Sequence, residues 1–184
     1  MTDPKCVICS TRDERTPQVI FENEHWRAML SANQGYLGTL FIELRDHKES
    51  LPALSDEEWL SFARLSRIVE FAEREAFGAV MFNWTCLLNN FYKTYPPKPH
   101  VHWHVRPRYD HEVTVAGHLF IDPNFGHHYD TGHLAHVSSD LKETVSQMLR
   151  NLARGGFEES ELDESHESGG NAKSAGHLSI GDKL

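Results

Sequence analysis

The sequence predicts an α+β domain with a mainly antiparallel sheet of about five strands, one long helix and a C-terminal helix. Three observations support this fold class. Short runs of β-branched and aromatic residues, separated by turn residues, fill the first half of the chain, and a helix with a capping box follows them. At 184 residues the chain is also long enough for one domain with a core, and too short for two ordinary domains with linkers.

The first three strands are predicted over residues 18–22, 24–30 and 38–44. Asn23 separates the first two, and asparagine is favoured in tight hairpin turns. Turn residues at 33–35 precede the third strand. We therefore expect a small antiparallel sheet to begin here.

The long helix is predicted to begin after Ser55, because Glu58 completes a capping box and apolar residues then recur at helical spacing. It is expected to end near Gly78, since glycine favours the end of a helix. Two further strands are predicted over residues 79–88 and 101–105, linked by a proline-rich loop.

The last helix is predicted to begin at Ser138 or Ser139 and to end before Gly155 and Gly156. Beyond it the chain is rich in Ser, Gly and Glu and has almost no aromatic or β-branched residues, a composition typical of disorder. We therefore divide the chain into a domain at 1–156 and a disordered acidic tail at 157–184.

Charge and hydropathy exclude two classes of partner. The net charge is −9, and the chain lacks the broad basic face that binding to duplex nucleic acid needs. No apolar run approaches the roughly 20 residues of a membrane helix. The N-terminal residues have neither the basic nor the apolar segment of a secretory signal, so we expect a cytoplasmic protein. The 13 histidines call for a chemical explanation.

Three of these histidines, His100, His102 and His104, alternate with apolar residues in the predicted strand and so share one of its faces. Arg106 and Arg108 continue the alternation. Two chemistries suit such a face: three imidazoles hold a catalytic zinc, or one imidazole is a nucleophile while its neighbours bind a phosphate. On a straight strand the three side chains spread over about 13 Å, so at most two of them can share one ion.

This stretch resembles the signature of the histidine triad (HIT) superfamily of nucleotide hydrolases and transferases, in which three histidines alternate with apolar residues. The segment at 38–47 is similar to a second family segment, and the similarity extends from about Cys6 to Arg108. The resemblance implies the HIT-like fold. It also implies a hydrolase acting on phosphoanhydride or phosphoramidate bonds of nucleotides, or a nucleotidyl transferase.

The resemblance assigns a role to each triad histidine. His102 would attack the α-phosphorus of a nucleotide substrate and form a covalent nucleotidyl-histidine, which water or another acceptor resolves. His104 would bind the transferred phosphate, and the backbone carbonyl of His100 would fix the tautomer of His102. Members of the family are commonly dimers, which makes a homodimer the expected assembly.

A second motif is Cys6-Val-Ile-Cys9, which alone is ambiguous between metal binding, redox chemistry and coincidence. His47 and His100 supply the two further ligands that a closed zinc site needs. The motif resembles the zinc-containing branch of the superfamily, in which the first triad histidine is a ligand. The resemblance therefore implies a structural zinc held by these four residues.

Five residues are expected to bind substrate: Ser31, Asn83, Asn89, Arg106 and Arg108. Ser31 stands where the family commonly has a ribose-binding Asp or Asn, and the loop before His100 lacks the Gly-Gln-Ser-Val of many relatives. These departures leave two alternatives open. One is a nucleotide-binding module with weak or no turnover, and the other is a zinc hydrolase that uses the triad as metal ligands.

Overall fold

The computed structural model describes residues 2–167, with side-chain placement for 2–14 and 18–155. Five antiparallel strands form the main sheet in the order β1-β2-β3-β5-β4. They are β1 (Val19–Glu22), β2 (Trp26–Leu30), β3 (Leu40–Leu44), β4 (Met81–Thr85) and β5 (His102–Arg108). The α+β prediction is confirmed, and each predicted strand is present.

The turn between β1 and β2 forms as predicted around Asn23. Its side-chain oxygen accepts hydrogen bonds from the backbone N–H groups of His25 at 3.0 Å and Trp26 at 2.9 Å. An asparagine side chain that bonds the backbone two and three residues later closes a local turn. The residue that marks the turn in the sequence is thus the one that stabilises it.

The long helix α2 (Asp56–Phe77) has the boundaries that the sequence indicates. Glu58 donates its backbone N–H to the Ser55 hydroxyl, and the Glu58 carboxylate accepts from the Ser55 backbone. Gly78 ends the helix in the left-handed conformation, with φ of 72°. The buried stripe of α2 includes Leu65, Ile68 and Ala72 and belongs to the main hydrophobic core.

The last helix, α3 (Ser139–Glu167), begins as predicted but is longer. Ser138 accepts a hydrogen bond from the Leu141 backbone, which confirms its capping role. The predicted end is wrong, because the helix continues through Gly155 and Gly156. Glycine in an exposed helix costs only about 1 kcal/mol and does not by itself stop it. Residues 168–184 of the expected tail lie outside the described residues, and the boundary at 156 stays a prediction.

Several short elements have no clear signal in the sequence. They are the four-residue helix α1 (Val7–Ser10), the 3₁₀ turns at Asp13–Gln18, Leu51–Ala53 and Asn89–Lys93, and a hairpin of β6 (Val113–Val115) and β7 (His118–Phe120). Helical turns of three to six residues and strands of only three residues carry too few periodic positions to be recognised. None of the helices within 2–167 has the length and apolar character needed to cross a bilayer.

The two faces of the main sheet have different partners. On one face, Trp103 stacks on Phe62 of α2 at 5.1 Å, and Trp84 packs edge-on against the same ring at 5.6 Å. On the opposite face, Phe41 contacts the rings of His102 and His104. The alternation predicted for β5 is therefore confirmed for these residues, and α2 packs on the face opposite the histidines.

Glu73 is a fully buried carboxyl group on α2. Within the described part of the chain, neither of its side-chain oxygens has a hydrogen-bond partner. Burial raises the pKa of Glu73 well above its ordinary value of 4.5. Its Oε2 lies so near Gly38 that a Cβ there would be 2.1 Å away, and Gly38 has φ of +75°. Glycine is required at this contact.

The raised pKa of Glu73 predicts that this residue makes the fold less stable as pH rises. Below pH 4.5 the group is protonated in both states; above it only the unfolded chain ionises, which favours unfolding. The free energy of unfolding of Glu73→Gln minus that of the wild type should increase from pH 5.5 to 7.5, by at most about 1.4 kcal/mol per pH unit.

Urea unfolding at several pH values measures this difference. Glu75→Gln is the matched control, because Glu75 is exposed on the same helix. A difference for Glu73→Gln that stays constant with pH would contradict the interpretation.

Candidate functional site

The histidines of β5 lie on the face of the sheet opposite α2, where His102 is buried and His104 is half-buried. His102 is opposite Glu43 and His104 opposite Phe41 on the neighbouring β3. The ring centroids of His102 and Phe41 are 4.7 Å apart, and those of His102 and His104 are 5.1 Å apart. Phe91, from the 3₁₀ turn before the strand, packs edge-on against His102 at 5.6 Å. The central imidazole is thus held by aromatic contacts.

One hydrogen bond fixes the tautomer of His102. Its Nδ1 lies 2.8 Å from the backbone carbonyl oxygen of His100, and since a carbonyl only accepts, Nδ1 carries the proton. Nε2 therefore has a lone pair. Nε2 has no hydrogen-bond partner among the described residues. It is also not one of the fully buried side-chain atoms without a partner, so it keeps some exposure to solvent. Burial lowers the pKa of His102, which favours the neutral ring.

His104 is also uncharged at neutral pH. Burial, followed by the neighbouring His102 and Arg106, lowers its pKa to about 4. A neutral imidazole still donates one N–H to a ligand. His104 thus offers a hydrogen bond, while the positive charge beside it comes from Arg106.

A cavity of about 320 Å³ lies on the same face of the sheet as these histidines. It is lined by Met29 and Ser31 at the end of β2, by Phe41 of β3, and by Val7 and Ile8 of α1. Apolar atoms dominate its wall. Because Phe41 also contacts His102 and His104, the cavity and the triad share a wall.

Four side chains form a cluster that suits a metal ion: Cys6, Cys9, His47 and His100. The Nδ1 of His100 lies 3.4 Å from Sγ of Cys6, 3.5 Å from Sγ of Cys9 and 3.3 Å from Nδ1 of His47. Sγ of Cys9 is 3.7 Å from Nδ1 of His47. A tetrahedral zinc site with bonds of about 2.0 to 2.3 Å has ligand separations of about 3.3 to 3.8 Å. Four of the six separations thus match a zinc site, and all four ligand atoms lie within 4.8 Å of one another.

The His100 ring is oriented for this role. Its Nε2 lies 2.7 Å from the carbonyl oxygen of Leu44, so Nε2 donates and Nδ1 directs its lone pair into the cluster. Burial lowers the pKa of His100 to about 4, which also favours the neutral form that binds metals. The ring and the carbonyl of one residue thus serve the metal cluster and His102 respectively.

The two arginines expected to bind substrate lie in different surroundings. Arg108 is fully buried, and its guanidinium makes five hydrogen bonds, to the Asp122 carboxylate, Asn83 Oδ1 and two backbone carbonyls. It has no donor left for a ligand. Arg106 is half-buried, and its guanidinium carbon lies 4.2 Å from the centre of the Tyr129 ring.

The remaining predicted contacts are distributed unevenly. Ser31 lines the cavity, Asn83 is engaged by Arg108, and Asn89 is exposed at the start of the turn that carries Phe91. Three aromatic residues that contact the triad or Arg106 were missed by sequence analysis: Phe41, Phe91 and Tyr129. Strand register places Phe41 and long loops place the other two, and neither is encoded in local periodicity.

The amino-acid sequence was compared with those of known proteins. No family model matches the chain. An uncharacterized HIT-like protein of Methanocaldococcus jannaschii is 27% identical over 113 residues, which cover 60% of this chain and 84% of that protein.

Solved structures show the same fold. A hypothetical histidine triad nucleotide-binding protein of Sulfolobus tokodaii superposes with a TM-score of 0.60 at 14% identity, covering 82% of this chain and 93% of that one. A zinc-bound histidine triad family protein of Mycobacterium smegmatis gives 0.52 at 20% identity, covering 88% and 97%. The resemblance indicated by the triad is therefore confirmed: the chain has the histidine triad fold and is similar in sequence to a HIT-like protein.

Proposed function

We propose that this protein is a nucleotide-phosphate hydrolase or nucleotidyl transferase that acts through a covalent nucleotidyl-histidine on His102. One observation carries the proposal. The Nδ1 of His102 donates to the His100 carbonyl at 2.8 Å, so that Nε2 keeps its lone pair, and Phe41 connects this ring to a cavity of about 320 Å³. A positioned neutral imidazole is a competent nucleophile near neutral pH.

The cavity supports a nucleoside as the bound half of the substrate. Its volume lies at the lower end of the range for small-molecule sites, and its apolar wall of Met29, Ile8 and Phe41 suits a base. The hydroxyl of Ser31 supplies a polar group at the rim, in the position expected to contact the sugar. The nucleoside end would lie over β2 and β3, with its phosphate at the histidines of β5.

The reaction has two steps. Nε2 of His102 bonds to the α-phosphorus, and the bond to the leaving group breaks with its electron pair staying on that group. Water, or another acceptor, then displaces His102 from phosphorus and gives up its proton. The N–H of His104 lies beside this position and would stabilise the negative charge on phosphorus.

We further propose that Cys6, Cys9, His47 and His100 hold a structural zinc ion. Zinc would supply a closed tetrahedral cross-link rather than a reactive water. The cross-link would join the N-terminal segment, whose Val7 and Ile8 line the cavity, to the residue whose carbonyl orients His102. The zinc-bound relative of the same fold supports this assignment.

The alternative of a zinc hydrolase that uses the triad as ligands receives no support from this geometry. In the described residues, the cluster suited to a metal contains His100 but neither His102 nor His104. It also has four protein ligands, which leaves no open position. The second alternative, a binding module with weak turnover, is decided by the assay of His102 below.

Two further expectations remain proposals. A homodimer is proposed because the resemblance implies one. A cytoplasmic location is proposed because a reducing cytosol would keep Cys6 and Cys9 as thiols that are available to a metal.

The role of His102 predicts a covalent intermediate. After incubation with dinucleoside polyphosphates and nucleoside phosphoramidates, intact-mass analysis of the wild type should show the addition of one nucleoside monophosphate, and peptide mapping should place it on His102. His102→Ala should form no adduct and lose at least about 1,000-fold in turnover, because the nucleophile is absent.

His118→Ala is the control, because His118 is exposed on β7 and should leave turnover unchanged. Retention of turnover by His102→Ala would refute the mechanism. Nucleotide binding by the wild type without adduct or turnover would instead identify a binding module.

The metal assignment predicts one zinc per chain in the natively purified protein, measured by elemental analysis and native mass spectrometry. Cys9→Ser should lose most of this zinc and unfold at a lower temperature, because zinc binding contributes to folding. Cys86→Ser should keep it, since Cys86 lies outside the cluster. Equal zinc loss in both variants, or a wild type without zinc, would exclude the assignment.

A further inference from the structure

Arg106 and Arg108 alternate on the same face of β5, yet only one of them has donors to offer. All five guanidinium N–H groups of Arg108 have acceptors. For Arg106 the described residues supply one distant acceptor, the Thr85 hydroxyl at 3.5 Å, and no carboxylate within 4 Å. Arg106 is thus a half-buried cation whose charge is not balanced by a carboxylate of the described residues.

The guanidinium of Arg106 is held by an aromatic ring that contacts its planar face. It lies over the Tyr129 ring, with its carbon 4.2 Å from the ring centre. A guanidinium stacked on an aromatic ring keeps its N–H groups in its own plane, where they remain able to donate. The contact therefore fixes the position of Arg106 without using its hydrogen bonds.

Tyr129 itself is fixed by the loop that follows β7. The ring is only 8% exposed. Next to it, the backbone N–H of Asp130 donates to the hydroxyl of the buried Tyr36 at 2.8 Å. Earlier in the loop, Arg108 donates to the carbonyl oxygens of Asn124 at 2.6 Å and His127 at 3.1 Å. Arg108, whose donors are all used, thus helps to hold the loop whose Tyr129 positions Arg106.

Arg106 lies on the side of the triad away from the cavity. The cavity is bounded by β2 and β3, whereas the Arg106 guanidinium reaches toward Thr85 of β4, and β5 runs between them. A nucleoside in the cavity with its α-phosphorus at His102 would direct the leaving part of the substrate toward β4. That part of the site carries the charge of Arg106.

We propose that Tyr129 is a positioning residue that holds Arg106 against a phosphate-bearing leaving group, so that the site prefers nucleoside polyphosphates over substrates with an amine leaving group. This rests on the proposed function. As His102 bonds to the α-phosphorus, the bond from phosphorus to the bridging oxygen breaks, and the electron pair remains on the departing phosphate. Arg106 neutralises that oxyanion and transfers no proton.

The test compares two substrates of one nucleoside, a dinucleoside tetraphosphate and a nucleoside 5′-phosphoramidate. Arg106→Met should lower kcat/KM for the tetraphosphate by about 10- to 100-fold, as expected for one charge-assisted contact, and for the phosphoramidate less than about threefold. Tyr129→Ala should give the same selective loss. Tyr129→Phe should restore the wild-type preference, because it keeps the ring face.

Arg74→Met is the matched control, since Arg74 also stacks on an aromatic ring, Phe82 at 4.9 Å, but lies on α2. It should alter neither substrate. Equal losses on both substrates in Arg106→Met, or Tyr129→Phe behaving like Tyr129→Ala, would overturn the proposal.

A binding measurement separates this proposal from the catalytic one. Inorganic tripolyphosphate should bind the wild type in calorimetry, and Arg106→Met and Tyr129→Ala should each weaken it about tenfold or more. A wild type that neither turns over nor forms an adduct but shows this pattern would refute the proposed reaction and support the anion site. Unchanged tripolyphosphate binding in both variants would refute the anion site alone.

Discussion

The hydrogen bond from His102 Nδ1 to the His100 carbonyl is the interaction on which the site depends. It links two neighbouring functions through one backbone. The His100 ring belongs to the cysteine and histidine cluster and is oriented by Leu44, while the carbonyl of the same residue decides which nitrogen of His102 carries the proton. A displacement of His100 would therefore change the chemistry of His102 without touching its side chain.

The alternation of β5 assigns its two faces to different tasks. Trp103 packs against Phe62 of α2 and anchors the strand in the core, and His102 and His104 lie on the opposite face against Phe41. Phe41 connects the cavity to the histidines, because it lines the cavity and contacts both histidine rings. Strands β3 and β5 thus hold the His102 ring and the cavity at a fixed separation.

The segment after β5 completes the other side of the site. A buried ion pair of Arg108 with Asp122, at 2.5 Å, ties this segment to the sheet, and Tyr129 then lies under Arg106. Breaking a buried pair by removing one partner is strongly destabilising. Arg108 therefore acts through the structure of the loop, although its position in the sequence is that of a second phosphate ligand.

Local sequence was sufficient for the five strands of the main sheet, the long helix and the central motif. The capping box of Ser55 and Glu58, the turn at Asn23 and the alternating histidines each depend on residues within a few positions of one another, so their geometry follows from backbone periodicity and side-chain chemistry. The continuation of α3 beyond Gly155 was not determined in this way, because propensity is a weak signal that helix context overrides. Arg106 and Arg108 are equivalent in the alternating pattern of β5. Only the tertiary structure decided which of them keeps guanidinium N–H groups free for a ligand, since the acceptors of Arg108 come from residues 14 to 25 positions away in the chain.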